Sequence, residues 1–262
     1  MDISELIDNI TKWLKDYSQK YDVCFVVGVS GGIDSAVVST LCAKTGIQTH
    51  LLSLPISQNE EQLNLCNQHL KWLEKNFSNV TSHTIDLTSS FEHFKKTLSK
   101  YETNLGLANT KSRLRMCTLY RVWGFYKRSV DGTGNKIEDF GIGFFTKYGD
   151  GGVDISPIAD LTKSEVRSLA KEMKINELII NAKPTDGLWD DDRTDEEQIG
   201  CTYEDLEWAM EFCEKNDESS INKTHLSDKE IKTLTIYKTL NKQNKHKMET
   251  IPIFKKLWQK EP

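Results

Sequence analysis

The chain has 262 residues and a formal net charge of −5, with 37% hydrophobic and 28% charged residues. That length suffices for one large domain or two small ones, and the composition is globular, on the polar side. The acidic balance argues against a nucleic-acid partner. The acidic start Met1-Asp2-Ile3-Ser4-Glu5 has no signal-peptide core, and no apolar run reaches the roughly 18 residues a membrane span needs, so a cytoplasmic protein without a membrane partner is expected.

Ile3, Leu6, Ile7, Ile10, Trp13 and Leu14 recur at helical spacing and predict a helix over 2–19. Val23–Val29 reads as a strand, and residues 35–45 as the helix that follows it. Between them runs Gly28-Val29-Ser30-Gly31-Gly32-Ile33-Asp34-Ser35. A glycine-rich turn from strand to helix exposes backbone N–H groups at a helix N-terminus, which suits anionic phosphate. It lacks the Gly-Lys-Ser/Thr ending of the ordinary P-loop.

Gln48–Leu54 predicts a second strand and residues 58–76 a helix, with Leu63, Cys66, Leu70 and Leu73 on one face. Asn79–Asp86 predicts a third strand. Ser89–Lys100 and Asn109–Gly124 predict two more helices, and Thr162–Met173 and Tyr203–Lys215 another two. Pro184–Gly200 is long, polar and acidic without periodicity, which points to a mobile lid. Residues 215–247 are highly charged. The six cysteines, Cys24, Cys42, Cys66, Cys117, Cys201 and Cys213, form no C-x-x-C pair and read as reduced thiols, mostly buried. Strands alternating with helices predict an α/β fold, a single doubly wound parallel sheet with C-terminal helices, forming one domain over 1–262. Ligands of such sheets bind at the carboxyl ends of the strands, where the glycine-rich turn lies.

The turn resembles the SGGxDS pyrophosphate loop of the N-type ATP pyrophosphatases. Three further blocks narrow the resemblance. They are Asn109-Thr110-Lys111-Ser112-Arg113-Leu114-Arg115-Met116; Gly132-Thr133-Gly134-Asn135-Lys136-Ile137-Glu138 with Phe144-Phe145-Thr146-Lys147-Tyr148-Gly149-Asp150-Gly151-Gly152-Val153-Asp154; and Pro157-Ile158-Ala159-Asp160-Leu161-Thr162-Lys163-Ser164-Glu165-Val166. Together with Lys183-Pro184-Thr185, Asp195-Glu196 and Lys245-His246-Lys247, they resemble the ammonia-dependent NAD synthetases along nearly the whole chain.

The resemblance implies a Rossmann-like sheet of the adenine nucleotide α-hydrolase type. It implies a reaction in which ATP adenylates the carboxylate of deamido-NAD and ammonia then displaces AMP, giving NAD, AMP and diphosphate. Mg²⁺ and a homodimer come with it. No glutaminase segment is expected before the first helix, so free ammonia would be the nitrogen source. The ATP contacts implied are Gly28, Val29, Ser30, Gly31, Gly32, Ile33, Asp34, Ser35, Thr133, Lys163 and Thr185. Asp34 and Glu138 would hold the metal. Asp34, Asp150 and Lys163 would serve catalysis. Arg113, Lys147, Asp154, His246 and Lys247 would hold deamido-NAD. The residue types suit the chemistry, because charge crowded at phosphorus needs cations and a leaving diphosphate needs N–H donors.

One segment departs from the family. Where an apolar strand would lead into Gly132-Thr133, this chain has Tyr126-Lys127-Arg128-Ser129-Val130-Asp131. Arg128 and Asp131 are costly in a central strand unless paired or at its end. Two other readings remain open. One is another adenylate-forming amidotransferase of this fold, which substrate choice would separate. The other is a non-catalytic nucleotide-binding regulator, which AMP formation would exclude.

Overall fold

The computed structural model describes residues 2–126, 128–185, 187–189, 193–216 and 225–255. Helix α1 (Ile3–Tyr21) leads into β1 (Cys24–Gly28), α2 (Ile33–Lys44), β2 (Thr49–Ser53), α3 (Glu60–Asn76) and β3 (Val80–Thr84). Then come α4 (Thr88–Thr97), α5 (Asn104–Tyr126) and β4 (Arg128–Asp131). The four strands are all parallel and lie in the order β3-β2-β1-β4, with Val26 opposite His50 and Val130. Every crossover is long enough to carry a helix, as parallel pairing demands.

The strands bury both faces. Phe25, Val27, Leu51 and Val80 pack with Ile7 and Leu14 of α1, Val37 and Leu41 of α2, and Leu70 and Leu73 of α3. Val26, Leu52 and Val130 pack on the opposite face, under Phe91 of α4 and Met116 and Leu119 of α5. The doubly wound sheet expected from the alternation is therefore present, and the apolar run Phe25-Val26-Val27 of β1 follows from it.

After β4 the chain departs from simple alternation. Residues 136–142 form a seven-residue π-helix, Lys136–Ile142. The chain then runs back beside β4, where Asp131 bridges Ile155 in parallel and the Gly132 amide donates to the Ile155 carbonyl at 2.7 Å. Helix α6 (Lys163–Glu172) packs on the α1–α2 face with Val166 and Leu169. The short α7 (Glu177–Ile180) and α8 (Asp195–Ile199) precede α9 (Tyr203–Lys215) and α10 (Asp228–Met248). A third core, made by Ile137, Ile142, Tyr203, Leu206, Met210, Leu234 and Tyr237, ties the π-helix to α9 and α10.

Several boundaries differ from the sequence expectations. Helix α5 begins at Asn104 because the Thr103 hydroxyl accepts the Gly106 amide at 3.0 Å and starts the helix ahead of the expected Asn109. The charged stretch after 215 contains a 21-residue helix, opened by a capping box between Ser227 and Glu230. Part of the expected lid is α8, opened by a similar box between Thr194 and Glu197.

Strand β4 meets the cost of its polar residues at its end. Asp131 is buried, its Oδ2 accepts the Cys42 thiol at 3.8 Å, and its Oδ1 has no hydrogen-bond partner among the described residues. Burial pushes this carboxyl well above the usual range, with Ser129 and Cys42 offsetting it only in part. The side chains of Tyr126 and Arg128 lie outside the described residues, as do residues 186 and 190–192 of the expected lid. Among the described residues, no helix is long and apolar enough to cross a membrane.

Candidate active site

The turn between β1 and α2 is held by its own serines. Ser35 Oγ accepts the Ser30 amide at 3.2 Å and donates to the Gly32 carbonyl at 2.9 Å, while Ser30 Oγ accepts the Gly32 amide at 3.2 Å. From the side, Cys66 Sγ donates to the Val29 carbonyl at 3.2 Å. These bonds fix a concave backbone whose next N–H groups, in the first turn of α2, have no intrahelical acceptor and point at the space beyond the sheet.

That space is a cavity of about 720 Å³ at the carboxyl ends of β1, β2 and β4. Gly28 through Ser35, Thr133, Glu138, Lys163 and Thr185 all line it, and so do Arg113, Lys147, Asp150, His246 and Lys247. Of the residues expected at the site, Asp154 alone does not. Its carboxylate accepts the Val130 amide at 2.9 Å and the Tyr120 hydroxyl at 3.0 Å, and so ties the return segment to β4 and α5.

Three charged groups meet at the cavity floor. Lys163, the first residue of α6, is 2% exposed. Its Nζ donates to Asp34 Oδ2 at 2.6 Å and to Glu138 Oε1 at 2.9 Å. Asn135 joins the two carboxylates from the other side. Its Nδ2 donates to Asp34 Oδ1 at 3.2 Å, and its Oδ1 caps the π-helix by accepting the Ile137 and Glu138 amides. Burial, opposed by Lys163, leaves the Asp34 carboxyl above its ordinary value. Burial would also raise Glu138, but the Lys163 charge and the bonds from Tyr203, Lys163 and Asn135 outweigh it and hold that carboxyl low. Burial disfavours a charged Lys163, yet the two carboxylates raise its pKa. Two carboxylates thus share a single ammonium, an arrangement with one negative charge in excess that attracts a further cation.

A basic wall faces this floor. Lys147 Nζ donates to the His246 carbonyl at 2.9 Å, Lys247 Nζ donates to the Phe145 carbonyl at 2.7 Å, and Arg113 Nε donates to the Lys147 carbonyl at 3.1 Å. The end of α10 is thereby brought against 145–147. Burial lowers the Lys247 pKa, with Asp150 and Asp139 pulling it back up. Asp150 Oδ1 accepts the Ser112 hydroxyl at 2.5 Å and the Thr146 amide at 3.1 Å, which fixes its carboxylate in this wall.

Sequence reasoning missed Asn135, Tyr203 and Asp195. Tyr203 is fully buried, and its hydroxyl donates to Glu138 Oε1 at 2.5 Å and lies 3.2 Å from Asp195 Oδ2. Asn135 was in view within Gly-Thr-Gly-Asn, and an Asn one residue before a helix signals a cap. Tyr203 carries no such signal, because an aromatic residue in a first turn reads as core.

Comparison with known proteins identifies the family. The NAD synthase family model matches residues 6–251. The NH(3)-dependent NAD(+) synthetase of Mesoplasma florum is 36% identical over 232 residues, covering 86% of this chain and 92% of that one. The same enzyme of Carboxydothermus hydrogenoformans is 39% identical over 209 residues, covering 78% and 83%. Among solved structures, the NMN synthetase of Francisella tularensis superposes with a TM-score of 0.83 at 29% identity, over 97% of this chain and 98% of that one. The NH3-dependent NAD synthetase of Campylobacter jejuni shares the fold, with a TM-score of 0.78 at 24% identity over 97% and 100%.

Proposed function

Because this chain belongs to the NAD synthase family, we propose that its cavity is where a nicotinate carboxylate is adenylated and then amidated, with the residues named above in the roles that follow. The chain is an ATP-dependent ligase that converts deamido-NAD and ammonia to NAD, AMP and diphosphate. The observation that carries the assignment of the site is the meeting of Asp34 and Lys163, 129 residues apart, with Glu138 beside the phosphate-type loop.

The carboxylate oxygen of deamido-NAD attacks the α-phosphorus of ATP, and the bond to the β-phosphate breaks. The free amides in the first turn of α2, Ile33 to Ser35, hold the departing diphosphate, and Thr133 and Thr185 contact ATP through their hydroxyls. Lys163 supplies positive charge to the phosphates, where it is stronger than in water because the side chain is buried. Arg113, Lys147, His246 and Lys247 form the wall that receives the dinucleotide, with Arg113 suited to two-pronged phosphate contact. Asp150, fixed by Ser112 and Thr146, orients the acyl group for ammonia. Ammonia adds to the acyl carbon, loses a proton and expels AMP. Asp154 serves the same site from outside the cavity, by holding the return segment in place.

Asp34 and Glu138 fit Mg²⁺. They are hard oxygen donors that share one ammonium and line the cavity beside the phosphate loop. Among the described residues no third acidic, histidine or cysteine side chain completes a metal cage, as expected of a cation that takes the rest of its shell from phosphate and water. When bound, Mg²⁺ neutralises phosphate charge. We read the chain as one domain acting in the cytoplasm. It pairs with a second copy through the exposed apolar residues Leu105, Trp123 and Phe125 of α5.

A second reading concerns the acyl substrate alone. The likeness to an NMN synthetase favours nicotinate mononucleotide in place of the dinucleotide. One assay tests both: ATP, Mg²⁺ and ammonium with either nucleotide, measuring amide product and AMP separately. Equal amide and AMP from deamido-NAD support the main reading, and turnover of the mononucleotide alone supports the second. ATP binding without AMP would point to a regulator and overturn both. Asp34→Asn and Glu138→Gln are each expected to lose about a hundredfold or more of turnover with the circular dichroism unchanged. Near-normal turnover in either variant removes that residue from the metal pair.

A further inference from the structure

The described part of the lid is tied to the cavity floor by one chain of hydrogen bonds. Both lid roots converge on the first turn of α8: the Asp195 amide donates to the Pro184 carbonyl at 3.0 Å, and the Thr185 hydroxyl donates to the Arg193 carbonyl at 3.1 Å. The same turn grips Tyr203 at two points. Glu196 Oε1 accepts the Tyr203 amide at 3.0 Å, and Asp195 Oδ2 lies 3.2 Å from its hydroxyl. That hydroxyl has one proton, and its shorter contact, 2.5 Å, is to Glu138 Oε1. The Tyr203 ring also lies under the Lys163 ammonium, 4.7 Å from Nζ to the ring centre. Tyr203 therefore touches two of the three charged groups on the floor without being a ligand candidate itself. Tyr203 and Lys163 both donate to Glu138 Oε1.

We propose that Tyr203 is a positioning residue that couples the lid, through Asp195, to the Glu138 carboxylate, so that lid closure and divalent-cation binding reinforce each other. A phenol that shares its proton between two carboxylates holds each only as well as the other is placed. Movement of the lid roots displaces Asp195 and shifts the proton of Tyr203 towards or away from Glu138. Partners behind a metal ligand orient that ligand and commonly alter metal affinity ten- to a hundredfold. The coupling is reciprocal, so the cation that Glu138 binds must also favour the closed lid. This inference rests on the reading that Glu138 holds the cation.

The test uses Tyr203→Phe, which keeps the ring over Lys163 and removes only the hydroxyl, together with Asp195→Asn and the double variant. Glu138→Gln is the reference. Mn²⁺ titrated by electron paramagnetic resonance with ATP present and no acyl substrate reads cation affinity without turnover. Tyr203→Phe is expected to weaken Mn²⁺ about tenfold, and high Mg²⁺ should restore its kcat while KM for deamido-NAD stays put. Asp195→Asn should weaken Mn²⁺ as well, and add less than about twofold once Tyr203 is Phe, because both act through one bond. Wild-type Mn²⁺ affinity in Tyr203→Phe, with affinity lost in Glu138→Gln, overturns the proposal. So does a fully additive double variant. If Tyr203→Phe does not fold, unchanged affinity in Asp195→Asn overturns it alone. Unchanged affinity in Glu138→Gln would instead refute the metal role of Glu138.

Discussion

His69 lies between α2 and α3 with 2% exposure, and its burial sets its charge. Ser39 Oγ lies 2.9 Å from His69 Nε2 and 3.1 Å from the Ala36 carbonyl. Burial pushes its pKa down from 6.5 to about 4, against a smaller upward pull from the Ala36 carbonyl. The unfolded chain therefore binds the extra proton first. The stabilising effect of a neutral His69 is complete above about pH 6.5 and is lost as the pH falls towards 4, a change of about 3 kcal/mol. His69→Gln keeps an amide donor and removes the titration, so its stability should change less between pH 7 and pH 4.5 than that of the wild type. Denaturant midpoints at the two pH values test this, and parallel curves would show that His69 is not the group responsible. The residues at the active floor are a different case. Asp34, Glu138 and Lys163 were legible because each sits in a block whose chemistry is recognisable. The buried Asp131 was legible as a cost, but not as a solution, because its resolution depends on Cys42 and on its place at the end of β4. Tyr203 was not legible, and Asp195 stood out only within a family block without a role, since what they do is set by distances across the third core.

At the level of elements, the glycine-rich turn depends on one residue more than its motif suggests. Gly31 has φ +94°, and a Cβ there would stand 2.6 Å from the Gln62 carbonyl oxygen and 3.1 Å from the Cys66 amide of α3. Both obstacles are backbone, so no rotamer change relieves them. Gly31→Ala combines about 1–2 kcal/mol of left-handed strain with a clash that must push α3 away from the loop. Gly46 is the control: its φ is +76°, but nothing lies within 4 Å of the Cβ that alanine would add. Gly46→Ala is expected to lower stability only by the strain and to keep the ATP-induced rise in melting temperature, whereas Gly31→Ala should abolish that rise. Retention of the ATP shift in Gly31→Ala would mean that the loop is not where ATP is held. The elements legible from sequence were β1 to β3, α1 to α4, α6 and α9, whose periods or flanking turns mark them. The π-helix over Lys136–Ile142 was not, because seven residues wound more widely than 3.6 per turn leave no apolar stripe to find. Yet this element presents Glu138, and a regular helical turn there would aim that side chain elsewhere.

Across the whole molecule, the cavity lies where three cores meet: the two faces of the sheet and the helical core of the π-helix, α9 and α10. The third core is connected to the sheet by the return segment and by α6, so the lid between α7 and α8 crosses the opening that the cores leave. Its described residues already reach the cavity. Leu188 and Trp189 line it, buried Lys111 donates to the Leu188 carbonyl at 3.0 Å, and the Arg193 guanidinium lies 4.6 Å from the Trp189 ring centre. Leu188 and Trp189 are only half-buried, so the lid is expected to draw its order from what fills the cavity. Trypsin reads this state, because the Lys183–Pro184 bond resists it and Arg193–Thr194 is the basic site within the lid. ATP and deamido-NAD together are expected to slow cleavage after Arg193 about tenfold or more, since ligand that binds only the closed form lowers the open population by mass action. Lys111→Met should raise cleavage in the free enzyme and narrow, without abolishing, the protection by ligands. Equal cleavage with and without both ligands would mean that the segment does not close over the site, and the cavity would then have to exclude water by its walls alone.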